Sequence, residues 1–260
     1  SCGACAVTGS GNHVGGLVGS NSGGMVSDVY ATGAVTGISN VGGLIGFNSG
    51  TLTDTYWDTQ TTGQGATGVG SGNDAGATGL TTADARGQAG YSGFDFAGVW
   101  YQAGDLRPML RAQAAAAGAD GVIPVSNLYQ LQLMGANLAG SYRLTRDLDA
   151  SATIATDAST GVWGAGGFVP VGTYGARFTG RLDGAGRTIT GLTIARPSQD
   201  FIGLIGSLGT GGRVSGLGLF GGSVRGSNNV GGLVGWNAGG TVSQSYTSGS
   251  VTGSAFVGGL

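Results

Sequence analysis

The stretch Val230–Leu260, VGGLVGWNAGGTVSQSYTSGSVTGSAFVGGL, opens and closes on Val-Gly-Gly-Leu, with the two copies 27 positions apart. Three runs of strand-forming residues lie within it: Gly232-Leu233-Val234, Thr241–Tyr246 and Ser250-Val251-Thr252. Gly- and Asn-rich clusters at Trp236–Gly240 and Thr247–Gly249 separate the runs and suit tight turns. The same unit recurs at Val14-Gly15-Gly16-Leu17-Val18-Gly19 and Val41-Gly42-Gly43-Leu44-Ile45-Gly46, with a variant at Phe201-Ile202-Gly203-Leu204-Ile205-Gly206. Positions 14 and 41 are 27 apart, and 201 and 230 are 29 apart. A fixed period of this length signals a stacked array. About three short strands and three turns per 27–29-residue unit make one coil of a parallel β-helix (β-solenoid), each strand pairing with its equivalent one coil along at about 4.8 Å. The expected fold is therefore all-β, interrupted by a non-repeating, aromatic-containing segment.

Composition agrees with that geometry. The 260 residues include 59 glycines, roughly 23% where about 7% is usual. Corners that recur in every coil need small residues in the same register, and small residues let coils approach closely. Charged residues make up only 9%, with neither Lys nor Glu present, so the 11 basic residues are all Arg and the 13 acidic ones all Asp. In an in-register stack like charges would sit directly above one another, whereas Ser, Thr, Asn and Gly avoid that repulsion and Asn can form hydrogen-bonded ladders. A flexible Gly-rich linker is the competing interpretation, but 40% apolar content with Leu and Val at the same phase of each unit argues for a packed interior.

The same counts narrow the function. One histidine, His13, rules out His–His metal sites and disfavours His-based triads, and the lack of Glu removes the Glu pairs common in glycosidases. Net charge is −2, divided as −4 over residues 1–117 and +2 over 118–260, with the later arginines scattered singly. Neither half has the clustered cationic face that nucleic acid requires. No window reaches the ~18 consecutive apolar residues of a membrane span. The pattern starts and stops mid-unit, as expected for a piece of a longer protein. No catalytic, cofactor or metal site is expected.

Along the chain we expect the end of a first array over 1–55, a closing or capping segment over 56–111, an Ala/Gly linker over 112–121, an opening segment of a second array over 122–200, and its repeats over 201–260. The closing segment concentrates aromatics in Tyr56-Trp57-Asp58 and Gly93–Trp100. Tyr91, Phe94, Trp100 and Tyr101 could cap an exposed solenoid end or form a ligand platform. In the opening segment, Ser126 is expected to N-cap a short helix with Leu128, Leu131 and Met134 on one face.

The repeated units Gly16-Leu17-Val18-Gly19, Gly43-Leu44-Ile45-Gly46, Gly203-Leu204-Ile205-Gly206 and Gly232-Leu233-Val234-Gly235 resemble the GLUG repeats of large bacterial surface proteins, notably filamentous-haemagglutinin-like adhesins. Tyr142–Ala150, Gly167–Gly172 and Phe178–Ile189 resemble the start of such an array, and Tyr56-Trp57-Asp58-Thr59 with Phe94–Trp100 its end. The resemblance implies a right-handed β-helical rod, secreted or on the bacterial cell surface, that binds a host-cell, matrix or glycan ligand. An outer-membrane transporter would export it. Related repeats also form stalks of surface IgA-cleaving metallopeptidases, although the His-Glu-x-x-His of such an enzyme is missing from these residues.

Three minor features remain. Cys2 and Cys5 lack the partners for a zinc site, leaving a local disulfide or two thiols. Asp147, Asp149 and Asp183 could supply part of a calcium shell or, in a polysaccharide-active β-helix, act on a glycan, but turn capping explains them equally well. His13 is expected at an exposed corner.

Overall fold

In a computed structural model, residues 5–154 and 161–260 are described in full, together with the backbone of residues 2 and 3. The chain is 45% strand and 8% helix, and its stacked parallel strands make a β-solenoid of about 9 turns. It divides into two compact units, Ser1–Pro108 with Asp157–Val162 and Met109–Thr156 with Trp163–Leu260.

In the first unit, strands Asn12–Gly15, Val18–Asn21 and Met25–Ala31 stack in parallel on Ser39–Gly42, Ile45–Asn48 and Thr51–Asp58. A shorter strand, Val35–Thr36, completes the coil by pairing with Val7–Thr8. The register sets Val14 on Val41, Val18 on Ile45 and Tyr30 on Tyr56. A coil thus has a fourth strand segment beyond the three apparent runs, because the residues leading into each Gly-Gly-Leu are themselves laddered from coil to coil. Leu44, Ile45, Leu52, Trp57 and Val69 fill the lumen. Burial of this apolar surface, at about 25 cal/mol per Å², is the main stabilising term.

The first array does not end at residue 55. Val69–Gly72 and Ala77–Leu80 pair in parallel with Ile45–Asn48 and Thr51–Asp58, adding an abbreviated turn. Trp57 explains the persistence: it lies inside that turn, and Cβ atoms placed on Gly43, Gly68 and Gly79 would come within 2.4, 2.5 and 2.9 Å of it. The expected closing segment is therefore coil up to Leu80 and cap only beyond it.

In the second unit, Val122–Val125, Ser141–Leu144, Arg181–Thr190, Arg213–Phe220 and Thr241–Ser243 form one continuous parallel sheet. An interior column of Ile123, Tyr142, Leu182, Val214 and Val242 follows from the register. The segment expected only to open the array already belongs to the stack. The short helix is Leu128–Leu133, and its cap is Asn127 rather than Ser126: Asn127 Oδ1 accepts the Gln130 N–H at 2.9 Å, while Ser126 lies one residue outside and donates to Gln130 Oε1. Leu128, Leu131 and Met134 are buried, as is Gln132, whose amide binds both the N–H and C=O of Val169 and accepts from Trp163 Nε1.

Candidate functional site

Within each unit the Gly-Leu-hydrophobic-Gly segments occupy the same corner of successive coils. Leu44, Leu204 and Leu233 are fully buried, with Ile45, Ile205 and Val234 also buried beside them, while Leu17 and Val18 are half-buried. The Leu44 carbonyl accepts two bonds across the coil boundary, from Leu17 N–H at 2.9 Å and Val18 N–H at 3.1 Å. Gly68 O does the same for Leu44 and Ile45, and Leu260 O for Leu233 and Val234. The chain therefore turns the corner without leaving the ladder, and buried backbone groups remain satisfied.

Close approach, not left-handed φ, requires the motif glycines. A Cβ on Gly16 would lie 2.3 Å from Gly43 O, on Gly46 2.2 Å from the His13 carbonyl carbon, on Gly206 2.5 Å from Gly172 O, and on Gly235 2.6 Å from Ile202 N. Gly203 and Gly232 meet backbone oxygens at 2.8 and 2.6 Å, and Gly19 is the loosest at 3.3 Å. The left-handed position belongs instead to the residue before each Val or Ile: His13, Asn40, Phe201, Asn229 and Phe256, with φ of 61°, 51°, 61°, 54° and 53°. Sequence reasoning missed this ladder. Asn40 and Asn229 were the available signal, since Asn tolerates that region.

Of the aromatic platform anticipated at Tyr91, Phe94, Trp100 and Tyr101, the first three are core and Tyr101 is half-buried. Phe94 stacks on Trp100 at 4.4 Å and on Tyr91 at 4.9 Å, and Tyr56 meets both Tyr91 and Phe94 edge-on. Tyr91, Phe94 and Trp100 are buried, and burial pushes the Tyr91 hydroxyl pKa upward. Beneath them Arg107 Nη2 meets Asp58 Oδ2 at 2.5 Å in a buried ion pair. Asp58 Oδ1 accepts from Gln60 N–H, Thr61 N–H and Thr82 Oγ1. Burial raises the Asp58 pKa, but the Thr61 N–H, the Arg107 guanidinium and Thr82 together outweigh it and hold the carboxyl below its ordinary value.

Asp147, Asp149 and Asp183 are each engaged in backbone bonding. They accept from Thr188 N–H at 2.8 Å, Ser151 N–H at 2.8 Å and Ala185 N–H at 2.9 Å respectively. Asp183 also faces Arg181 at 3.1 Å and Arg143 at 3.4 Å. Among the described residues no group of three or more His, Cys, Asp or Glu side chains gathers as a metal site. His13 is exposed and meets Phe47 edge-on at 5.5 Å. Cys5 is exposed and free, and the Cys2 side chain lies outside the described residues.

One surface cluster escaped the sequence reading. Tyr174 stacks on Trp236 at 5.4 Å with an 11° interplanar angle, Phe201 lies 5.4 Å from each, and the Arg177 guanidinium sits 4.7 Å from the Trp236 ring centroid. Phe201 and Trp236 repeat the corner relation of His13 and Phe47, whereas Tyr174 and Arg177 come from an excursion that no periodicity marks.

Residues 10–36, one coil in length, match the family model described as the GLUG motif. The chain carries a GLUG-repeat region. Over 123 residues, 46% of this chain, it is 45% identical to halomucin of Haloquadratum walsbyi (strain DSM 16790 / HBSQ001), and the match spans 1% of that protein's length. No solved structure matches the chain. The motif and the likeness suggest a repeat region of a surface or secreted protein, with a structural role. No helix among the described residues is long and apolar enough to cross a membrane.

Proposed function

We propose that this GLUG-repeat region is a non-catalytic structural and adhesive segment of a large secreted or cell-surface protein, mediating attachment to host cells, matrix or biofilm. The observation that carries this reading is the repetition of one neutral polar surface from coil to coil. Ser39 Oγ donates to the exposed Asn12 Oδ1 at 2.5 Å and the exposed Thr210 Oγ1 to Ala238 O at 3.4 Å, bonds that join residues 27 and 28 positions apart. A surface built this way presents many copies of a weak contact, and multivalency turns weak contacts into firm attachment.

Retention of beads coated with the 260-residue chain on host cells, extracellular matrix and biofilm under flow tests the proposal. Retention several-fold above albumin-coated beads on at least one of these surfaces is expected. Retention equal to albumin on all three would leave a passive stalk, such as one carrying a surface metallopeptidase.

A further inference from the structure

We propose that the second unit carries a binding subsite for an acidic polysaccharide, in which Tyr174 and Trp236 supply an aromatic face and Arg177 receives a sugar carboxylate. The proposal deepens the adhesive reading and rests on it.

The local chain path builds the subsite. Val171 bridges Ile205 and Phe178 bridges Leu208, so residues 172–177 stand opposite only Gly206 and Ser207, and the surplus chain projects outward. A tight turn closes the projection: Thr173 N–H donates to Ala176 O at 2.8 Å and Ala176 N–H to Thr173 Oγ1 at 3.1 Å. Tyr174 rides on this turn with 60% of its surface exposed. Ser207, small and buried, occupies the intervening coil and pairs with Trp236, which lets Tyr174 reach across to the Trp236 ring one coil further on. Anchoring at both ends means that little conformational entropy is lost when a ligand settles on the ring.

Charge selects the ligand class. The Arg177 guanidinium lies over Trp236 and 5.6 Å from the Tyr174 centroid. No described carboxylate forms an ion pair with it, and its buried Nε has no hydrogen-bond partner among the described residues. Aromatic faces orient a guanidinium but do not accept its in-plane N–H groups, which suit the two oxygens of a carboxylate. Beside it runs an open groove lined by Tyr174, Gly175, Arg177, Thr179, Gly209 and Thr210. Gly209 keeps the floor low, since a Cβ there would come within 3.0 Å of Arg177 Cβ and Thr179 Cγ2. Stacking surface, cation and threonine hydroxyls in one groove match the apolar C–H face, carboxylate and hydroxyls of a uronic acid residue. Arg177 is the one arginine among the residues lining this groove, which does not match the phosphate spacing of nucleic acid.

Calorimetric titration of the full chain with alginate hexamers, and in parallel with neutral laminarin hexamers, tests the subsite. Alginate is expected to bind at least tenfold more tightly than laminarin. Arg177→Gln should abolish that preference, and Tyr174→Ala should weaken alginate binding about tenfold while the chain still unfolds cooperatively with only a small shift of the thermal midpoint, because Tyr174 lies on an exposed turn and loses only its surface ring contacts. Tyr246→Ala, which removes an exposed aromatic elsewhere, should bind as the parent does. Absence of alginate binding at millimolar ligand, equal affinity for both hexamers, or unchanged binding by Tyr174→Ala would each overturn the proposal. If Tyr174→Ala instead altered the oligomeric state, the ring would be a self-association contact and the proposal would fall. Coated beads that adhere while alginate fails to bind would sink the subsite alone, whereas alginate binding without adhesion to any surface would sink the broader reading.

Discussion

At the scale of single residues, glycine serves two purposes that composition cannot separate. Gly46 lies between two coils, where a Cβ would meet the His13 carbonyl carbon at 2.2 Å and Val14 N at 2.5 Å. Neither atom belongs to a flexible side chain, so the backbone itself would have to move. Gly46→Ala is expected to cost about 2–3 kcal/mol, in the range of overpacking, and to lower the urea midpoint accordingly. Gly11 has no heavy atom within 4 Å of a Cβ position and no left-handed φ. There the same change should be neutral, or stabilise by up to about 1 kcal/mol by restricting the unfolded chain. Circular dichroism during urea unfolding of both variants checks the contrast, and equal effects at the two sites would show that close approach is not what the motif glycine protects.

At the scale of elements, the closing segment is pinned by one buried pair. Asp58 ends the strand Thr51–Asp58, holds the turn to Thr61, binds Thr82 and meets Arg107. Removing one partner leaves a buried, uncompensated charge, so Asp58→Asn should cost about 3–5 kcal/mol. The folded carboxyl titrates below its ordinary 3.8, so the unfolded chain takes up the proton first as pH falls. The stabilisation is present above the unfolded value of 3.8 and is lost progressively as pH falls from there through the lower folded value. Urea midpoints measured between pH 5 and pH 2 should fall more steeply for the parent than for Asp58→Asn, and parallel slopes would exclude this role. Much of the element plan was legible in the sequence, because Val14 and Val41, and again Val230 and Val257, stand 27 positions apart. The interior column of Ile123, Tyr142, Leu182, Val214 and Val242 was not, since its members are separated by 19, 40, 32 and 28 positions. A solenoid constrains the register of its inward residues, while loops leaving the coil can take any length without disturbing it. The aromatic cap was readable for the opposite reason: Tyr91, Phe94 and Trp100 are near one another in sequence and pack together. Tyr174, Phe201 and Trp236 come from three different coils, so only the stacking register reveals them as a cluster.

At the scale of the whole molecule, each coil touches mainly its neighbours, so stability is close to a sum of coil and interface contributions. Such a molecule should yield to proteases where stacking is interrupted, not uniformly along its length. The strongest candidate is Ala112–Asp120, just past the division at Pro108 and Met109. Apart from the half-buried Ala115 its residues are exposed, and its only regular structure is the end of the short 3-10 turn Arg111–Gln113. The Gly118 N–H bonds to Val122 O at 2.9 Å, which ties the far end to the first strand of the second unit and leaves the alanines as the accessible stretch. Elastase, which cleaves after small residues, should therefore cut first within Ala112–Ala117, yielding two fragments under denaturing mass spectrometry that resist further digestion at least tenfold longer than the parent chain survives. Backbone accessibility of this kind, with few buried contacts to oppose local opening, is what governs the rate. Uniform resistance across the segment would instead mean that the two units unfold as one continuous solenoid, with the alanine stretch held as firmly as the coils on either side.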